Sequence, residues 1–179
     1  MKKDKKKEIS RLEKEMREDQ LDTVDALCMH LLSCGDDLTL LTLKGHLVME
    51  DVMDKILARL LHIPHLPKDE NTKLEFNQKL KLVEAVVCHT DPGPNADLFC
   101  AIAKLNSVRN KLAHNLKKPD EIVEDVKSLL NCYFAKAGKK PVYGKVLSED
   151  LRGCLCNLWQ FLYKVRRHFH ELESESLTE

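Results

Sequence analysis

Leucine, isoleucine and valine recur along this chain at spacings of three and four residues, the period that gives a helix one apolar face. No stretch of any length alternates apolar and polar residues in the way that a half-buried strand does. The periodic stretches predict one helix from Leu21 that Gly35 ends, four helices at about 37–62, 72–89, 96–117 and 120–136, and a long final helix. We therefore expect an all-α fold, a compact bundle of about six helices with short connections.

The final helix carries the most regular pattern. It is predicted to start at a cap formed by Ser148, Glu149 and Asp150. Its apolar residues then follow at alternating steps of four and three, namely Leu151, Leu155, Leu158, Leu162, Val165, Phe169 and Leu172. Such a heptad pattern predicts a long C-terminal helix that packs along a partner helix over its whole length. That partner could lie in the same bundle or in a second protomer.

The bulk composition indicates one folded domain. Residues 1–19 are dominated by lysine and glutamate and predict a charged N-terminal helix or arm, and residues 20–179 predict a single helical domain. No apolar run approaches the roughly 18 residues that span a bilayer, so we expect no membrane segment. Residues 1–19 also lack the apolar centre of a signal peptide, which favours a cytoplasmic location.

Cysteines and histidines do not form a recognisable metal site in the sequence. The seven cysteines are odd in number and lie mostly in apolar helical patterns, so we expect reduced core residues rather than disulfides. The pairs Cys154-x-Cys156 and His168-x-His170 lack the spacing of zinc modules. No glycine-rich phosphate loop or dinucleotide fingerprint is present, and we expect no cofactor.

The stretch from Leu105 to Leu116 predicts a helix with two different faces. One face is an apolar stripe built from Leu105, Val108, Leu112 and Leu116. The other face should not be core, and it carries Asn106, Asn110, Ala113 and His114 with Arg109 at its flank. The formal net charge of the chain is zero, yet no aspartate or glutamate occurs from Leu98 to Pro119. This predicts a positive field suited to a phosphate backbone, unless an acidic neighbouring helix balances it.

These residue types suit RNA cleavage without a metal ion. That reaction needs a base for the 2′-hydroxyl, an acid for the leaving 5′-oxygen and cations for the transition-state charge. We predict that His114 is the catalytic base or acid and that the planar guanidinium of Arg109 binds phosphate oxygens. Asn110 is predicted to orient the imidazole or to hydrogen-bond the phosphate. Further candidates for binding RNA are Lys104, Asn106, Lys111 and Lys117. Because one histidine cannot easily be both acid and base, we expect a homodimer with a composite site.

The segment Arg109-Asn110-Lys111-Leu112-Ala113-His114 resembles the signature of the HEPN superfamily. The segment from Gly45 to Asp54 resembles the early helix of a HEPN-like subgroup that includes the mannitol operon repressor, and the segment from Leu74 to Leu80 is similar to the helix that follows. The resemblance covers about residues 38–135. It implies a helical bundle that dimerises through facing motif helices and cleaves RNA without metal in toxin–antitoxin, defence or RNA-processing systems. An antitoxin or regulatory protein is then a further expected partner.

Other interpretations stay open at this point. The same face could belong to a non-catalytic HEPN-like transcriptional regulator or protein-interaction module, or to a purely structural bundle. His46, Glu50 and Asp54 form a polar line at spacings of four, which either pairs with Arg109 or is a solvated helix face. A second arginine–histidine pair, Arg59 and His65, is disfavoured as a site because Pro64 and a helix end lie between them.

Overall fold

The structure is a computed structural model that describes residues 27, 31–63, 65–67, 69, 73–90, 96–114, 119–135 and 146–176. Within these ranges the chain forms five helices and no strand, which confirms the predicted all-α, compact fold. The helices are α1 (Leu38–Leu60), α2 (Phe76–Thr90), α3 (Ala96–His114), α4 (Pro119–Ala135) and α5 (Leu147–Ser176). The predicted arm at residues 1–19 and most of the helix predicted from Leu21 lie outside the described residues.

Local chemistry explains where the first helices begin. Gly35 has φ +54°, a left-handed conformation that favours glycine, and it lies just before α1 as predicted from its helix-ending role. Asp37 caps α1 because its Oδ1 accepts a hydrogen bond from the Leu40 N–H at 3.0 Å. Gln78 caps α2 by accepting from the Glu75 N–H at 2.8 Å, so this helix begins at Phe76 rather than at the predicted residue 72.

The start of α5 differs from the prediction. Ser148 lies inside the first turn, after Leu147, and does not cap the helix. Its buried hydroxyl donates a hydrogen bond to Oδ1 of Asp36, in the turn that precedes α1. The predicted cap is therefore wrong. The Ser148 hydroxyl, which would have capped the helix, instead bonds to Asp36, a residue far away in the sequence.

All five helices contribute buried residues to the core, with the most extensive packing between α1 and α5 and between α3 and α4. The helix that accompanies the predicted apolar stripe of α5 is therefore α1 of the same chain. Four leucines of that stripe are fully buried, namely Leu151, Leu155, Leu158 and Leu162. Gly45 permits this close approach, since a Cβ at this position would lie 2.6 Å from a methyl group of Leu155.

The cysteines only partly match the prediction of core residues. Cys34 and Cys154 are buried, whereas Cys88 and Cys100 are exposed. The expectation of core residues is wrong for Cys88 and Cys100, because an apolar helical pattern does not tell which positions a neighbouring helix covers. In the part of the chain that the structure describes, no helix is long and apolar enough to cross a membrane.

Candidate functional site

A cleft of about 1290 Å³ opens beside α1, α2 and α3. Its walls also include the segment that follows α1, the residues just before α2, and Arg166 of α5. Ligand pockets for small molecules are typically about 300–1000 Å³, so the cleft has room for more than one nucleotide. This cleft contains two of the three residues that the sequence predicted to be catalytic, Arg109 and Asn110.

Arg109 is the most informative side chain of the cleft. It is half-buried on α3, and its Nη1 donates a hydrogen bond to Oδ1 of the adjacent Asn110 at 3.0 Å. Among the described residues, this neutral carboxamide rather than a carboxylate holds the guanidinium. Asn110 therefore orients Arg109, whereas the sequence assigned Asn110 to the imidazole or the phosphate. The positive charge of Arg109 faces the cleft without a directly bonded acid.

Side-chain hydrogen bonds join α1, α2 and α3 one turn before Arg109. Nε2 of His46 lies 2.9 Å from Oδ1 of Asn106, and Nδ2 of Asn106 donates to Oδ1 of Asn77 at 2.9 Å. Because the Asn106 oxygen accepts, His46 Nε2 must carry the proton. The His46 ring also stacks on Phe76, with ring centroids 4.3 Å apart. We call His46, Asn106 and Asn77 the three-helix relay.

The relay corrects two predictions. Asn106 was expected on a face outside the core, yet it is only 5% exposed and both ends of its amide are bonded within the protein. His46 was expected to form a solvated face or to accompany a pair with Arg109, yet it is 3% exposed. A buried polar side chain is tolerated when it is hydrogen-bonded, and Asn106 is satisfied by His46 at its oxygen and by Asn77 at its nitrogen where three helices meet.

His46 is held in its neutral form. Burial lowers the pKa of His46, and this effect outweighs the hydrogen bond that His46 donates to Asn106 and the nearby Glu50 carboxylate, which favour the charged form. Arg109 and Lys79 lower the pKa further by repulsion. Nδ1 of His46 is buried and has no hydrogen-bond partner among the described residues, so a proton added there would be unsatisfied.

We expect the free energy of unfolding to fall as the pH drops below about 6.5, because the unfolded chain then binds a proton that folded His46 excludes. This loss of stability should be complete once the pH is below the lowered pKa that His46 has in the folded protein. Urea unfolding between pH 7.5 and 5 measures this slope. His46→Gln should reduce the slope, and His89→Gln, at an exposed position of α2, should leave it unchanged. An equal slope in wild type and His46→Gln would contradict the assignment.

Lys79 links the polar line of α1 to α2. Its Nζ lies 2.9 Å from Oε1 of Glu50 and 2.7 Å from Oδ1 of Asp54. Burial disfavours the charged form, but the two carboxylates prevail and raise the pKa of Lys79. Glu50 thus pairs with Lys79 and not with Arg109 as one interpretation of the sequence allowed. Sequence reasoning missed Lys79 because no local pattern shows which side chain faces α1.

The cleft carries more positive than negative side chains. Each of its four carboxylates lies within 4 Å of a lysine, in the pairs Lys55–Asp51, Lys73–Glu75, Lys79–Glu50 and Lys79–Asp54. The cleft is also lined by three arginines, Arg59, Arg109 and Arg166. With three lysines, three arginines and four carboxylates, the lining carries a formal net charge of +2. Arginine is the side chain whose planar fork matches phosphate oxygens. Arg59 and His65, which the sequence disfavoured, both line the cleft, and Arg166 was not anticipated.

Of the other predicted site residues, Asn106 also lines the cleft, whereas the two described lysines do not. Lys111 Nζ lies 2.6 Å from Oδ1 of Asp125 on α4, which is the acidic-neighbour arrangement that the sequence left open. The positive field predicted from the acid-free stretch is therefore balanced at Lys111. Lys104 is half-buried on α3 and is not part of the described cleft lining. His114 is the last residue of α3, but its side chain and Lys117 lie outside what the structure describes.

Comparison with protein-family models, with curated proteins and with solved structures finds no match to this chain. The described residues contain no group of three or more histidine, cysteine, aspartate or glutamate side chains placed to hold a metal ion. The HEPN resemblance therefore stays a prediction that rests on the motif in α3 and the two shorter segments.

Proposed function

We propose that this protein is a metal-independent endoribonuclease of HEPN type that leaves 2′,3′-cyclic phosphate ends. The observation that carries the proposal is the Arg109 guanidinium, which faces a cleft of about 1290 Å³ and is held by the neutral Asn110. A cation without a bonded acid can compensate the negative charge that develops on a phosphate in the transition state.

In this proposal each α3 residue has a separate task. Arg109 binds two phosphate oxygens, and Asn110 keeps the guanidinium oriented toward the cleft. His114, later on the same helix, transfers a proton to or from the reacting oxygens, because an imidazole can gain and lose a proton near neutral pH. Arg59 and Arg166 line the same cleft, and in this proposal they contact neighbouring phosphates of the RNA.

The complete reaction needs a second group that transfers protons. A homodimer with its two α3 helices facing each other would supply a second His114 and a second Arg109. Light scattering at micromolar concentration, combined with activity measurements on the same sample, tests this arrangement. A strict monomer with full activity would contradict the composite site but not RNA cleavage.

The proposed activity is tested with labelled single-stranded RNA in EDTA. We expect cleavage fragments that end in a 2′,3′-cyclic phosphate, because the 2′-hydroxyl is the attacking group. The matched substrate is the same oligonucleotide with 2′-deoxyribose at the cleaved position, and it should stay intact. Cleavage that requires a divalent ion, or equal cleavage of the deoxy substrate, would contradict the mechanism.

A non-catalytic regulator or protein-interaction module is the second candidate. The four carboxylates of the cleft, each beside a lysine, support this candidate. A surface of mixed charge can complement a protein partner that itself carries charges of both signs. Absence of cleavage for every RNA tested, with a folded protein, would favour this candidate over the nuclease.

A further inference from the structure

Two cysteines from different helices lie side by side at the surface. Sγ of Cys100 on α3 is 2.8 Å from Sγ of Cys132 on α4. A disulfide requires two sulfur atoms about 2.05 Å apart, so the bond needs only a small movement of the two side chains. We propose that Cys100 and Cys132 form a redox-active dithiol, which a peroxide converts into a disulfide that joins α3 to α4.

The exposure of the two sulfur-bearing residues supports this role. Cys100 is exposed, so a small oxidant can reach it, and Cys132 is half-buried directly beside it. Accessible thiols with a neighbouring thiol that can react further are the usual sites of reversible oxidation. By contrast, burial, followed by the proximity of Cys132 and Cys156, raises the pKa of Cys154 to about 12. Cys154 therefore stays protonated and unreactive.

The oxidation proceeds in two balanced steps. The Cys100 thiolate attacks one oxygen of the peroxide, the O–O bond breaks, and a sulfenic acid and water form after proton transfer. The Cys132 sulfur then attacks Cys100 Sγ, the S–O bond breaks, and a second water leaves as the S–S bond forms. With hydrogen peroxide, two thiols give up two electrons and two protons, and the peroxide becomes two waters.

The disulfide would stabilise the segment that carries Arg109 against unfolding. It closes a loop from Cys100 to Cys132 that contains most of α3, including Arg109, and most of α4. Closing such a loop restricts the unfolded chain, so the oxidised protein should melt roughly 5–10 °C above the reduced protein. This inference does not depend on the proposed nuclease activity.

The experiment uses the full chain, reduced and then exposed to hydrogen peroxide before the remaining thiols are blocked. We expect the intact mass to fall by two hydrogen atoms, a cross-linked peptide that contains Cys100 and Cys132, and reversal by dithiothreitol. Cys100→Ser and Cys132→Ser should each abolish the cross-link and the rise in melting temperature. Cys88→Ser is the matched control, because it removes another exposed cysteine and should change neither result.

Three outcomes would overturn the proposal. These are oxidation of Cys100 to sulfinic or sulfonic acid without a cross-link, a cross-link from either residue to Cys156 instead, and equal melting temperatures for oxidised and reduced protein. If Cys132→Ser fails to fold, Cys132→Ala replaces it, and circular dichroism establishes that each variant is helical before oxidation. Cys156→Ser should still form the cross-link, which separates the proposed pair from its neighbour.

Discussion

Arg109→Ala is expected to lower kcat/KM for RNA cleavage in EDTA by about 100–1000-fold, the usual cost of removing one preorganised group that stabilises transition-state charge. The guanidinium faces the cleft and is held by Asn110, so its loss removes a cation that is already oriented. Initial rates on labelled RNA at several substrate concentrations measure the change. His114→Ala should cause a loss of similar size, because proton transfer contributes about 100–10,000-fold.

Two further variants separate a specific role from a general loss of charge. Arg109→Lys should recover little activity, because an ammonium group lacks the planar fork that binds two phosphate oxygens. Lys111→Ala removes a cation from the same helix, but Lys111 is paired with Asp125, so we expect a change of less than about threefold. Equal losses in Arg109→Ala and Lys111→Ala would indicate a nonspecific electrostatic effect. Full activity of Arg109→Ala would refute the proposed site.

Gly45→Val should lower the free energy of unfolding by about 2–3 kcal/mol, within the usual range for an overfilled core. A Cβ at this position would lie 2.6 and 2.7 Å from the two methyl groups of Leu155, which is fully buried. Because Leu155 is fully buried, either its side chain must shift against neighbouring core residues or α1 and α5 must separate. Urea denaturation followed by circular dichroism measures the difference. Gly153→Ala is the control, since open space surrounds that position, and it should stabilise α5 by about 0.5–1 kcal/mol.

A double-mutant cycle tests whether the Leu155 contact causes the loss. Leu155→Ala alone should cost about 2–5 kcal/mol by leaving a cavity. Combined with Gly45→Ala, it should cost less than the sum of the two single changes, because the methyl groups that meet the new Cβ are gone. We expect a coupling of at least about 1 kcal/mol between the two positions. Additive effects would show that another contact limits the approach of α1 to α5.

The bounds of several helices followed from local rules. The 3.6-residue period located α1, α3 and α4 to within a few residues, and proline marked the boundary between the last two. Pro119 begins α4, where its missing N–H costs no helical hydrogen bond. The start of α2 was misplaced by about four residues and the predicted cap of α5 was wrong, because Gln78 and Ser148 make side-chain contacts that no apolar pattern records.

The candidate site was anticipated only along one helix. Arg109 and Asn110 were placed together on a polar face, and both line the cleft. Asn106, assigned to the same face, is buried instead because α1 and α2 bring His46 and Asn77 against it. Periodicity separates apolar from polar positions, but it does not tell whether a polar position meets water or another polar side chain.

The sequence alone predicted the all-helical fold of the described residues, and it placed Arg109, Asn110 and His114 close together on one helix. Both properties depend on the neighbours of each residue along the chain. The three-helix relay, the pairing of Lys79 with two acids of α1, the arginines gathered from three helices and the neighbouring thiols of Cys100 and Cys132 depend on how the helices pack. Each joins residues far apart in sequence, and such contacts exist only once burial of the apolar faces has chosen which helices lie together.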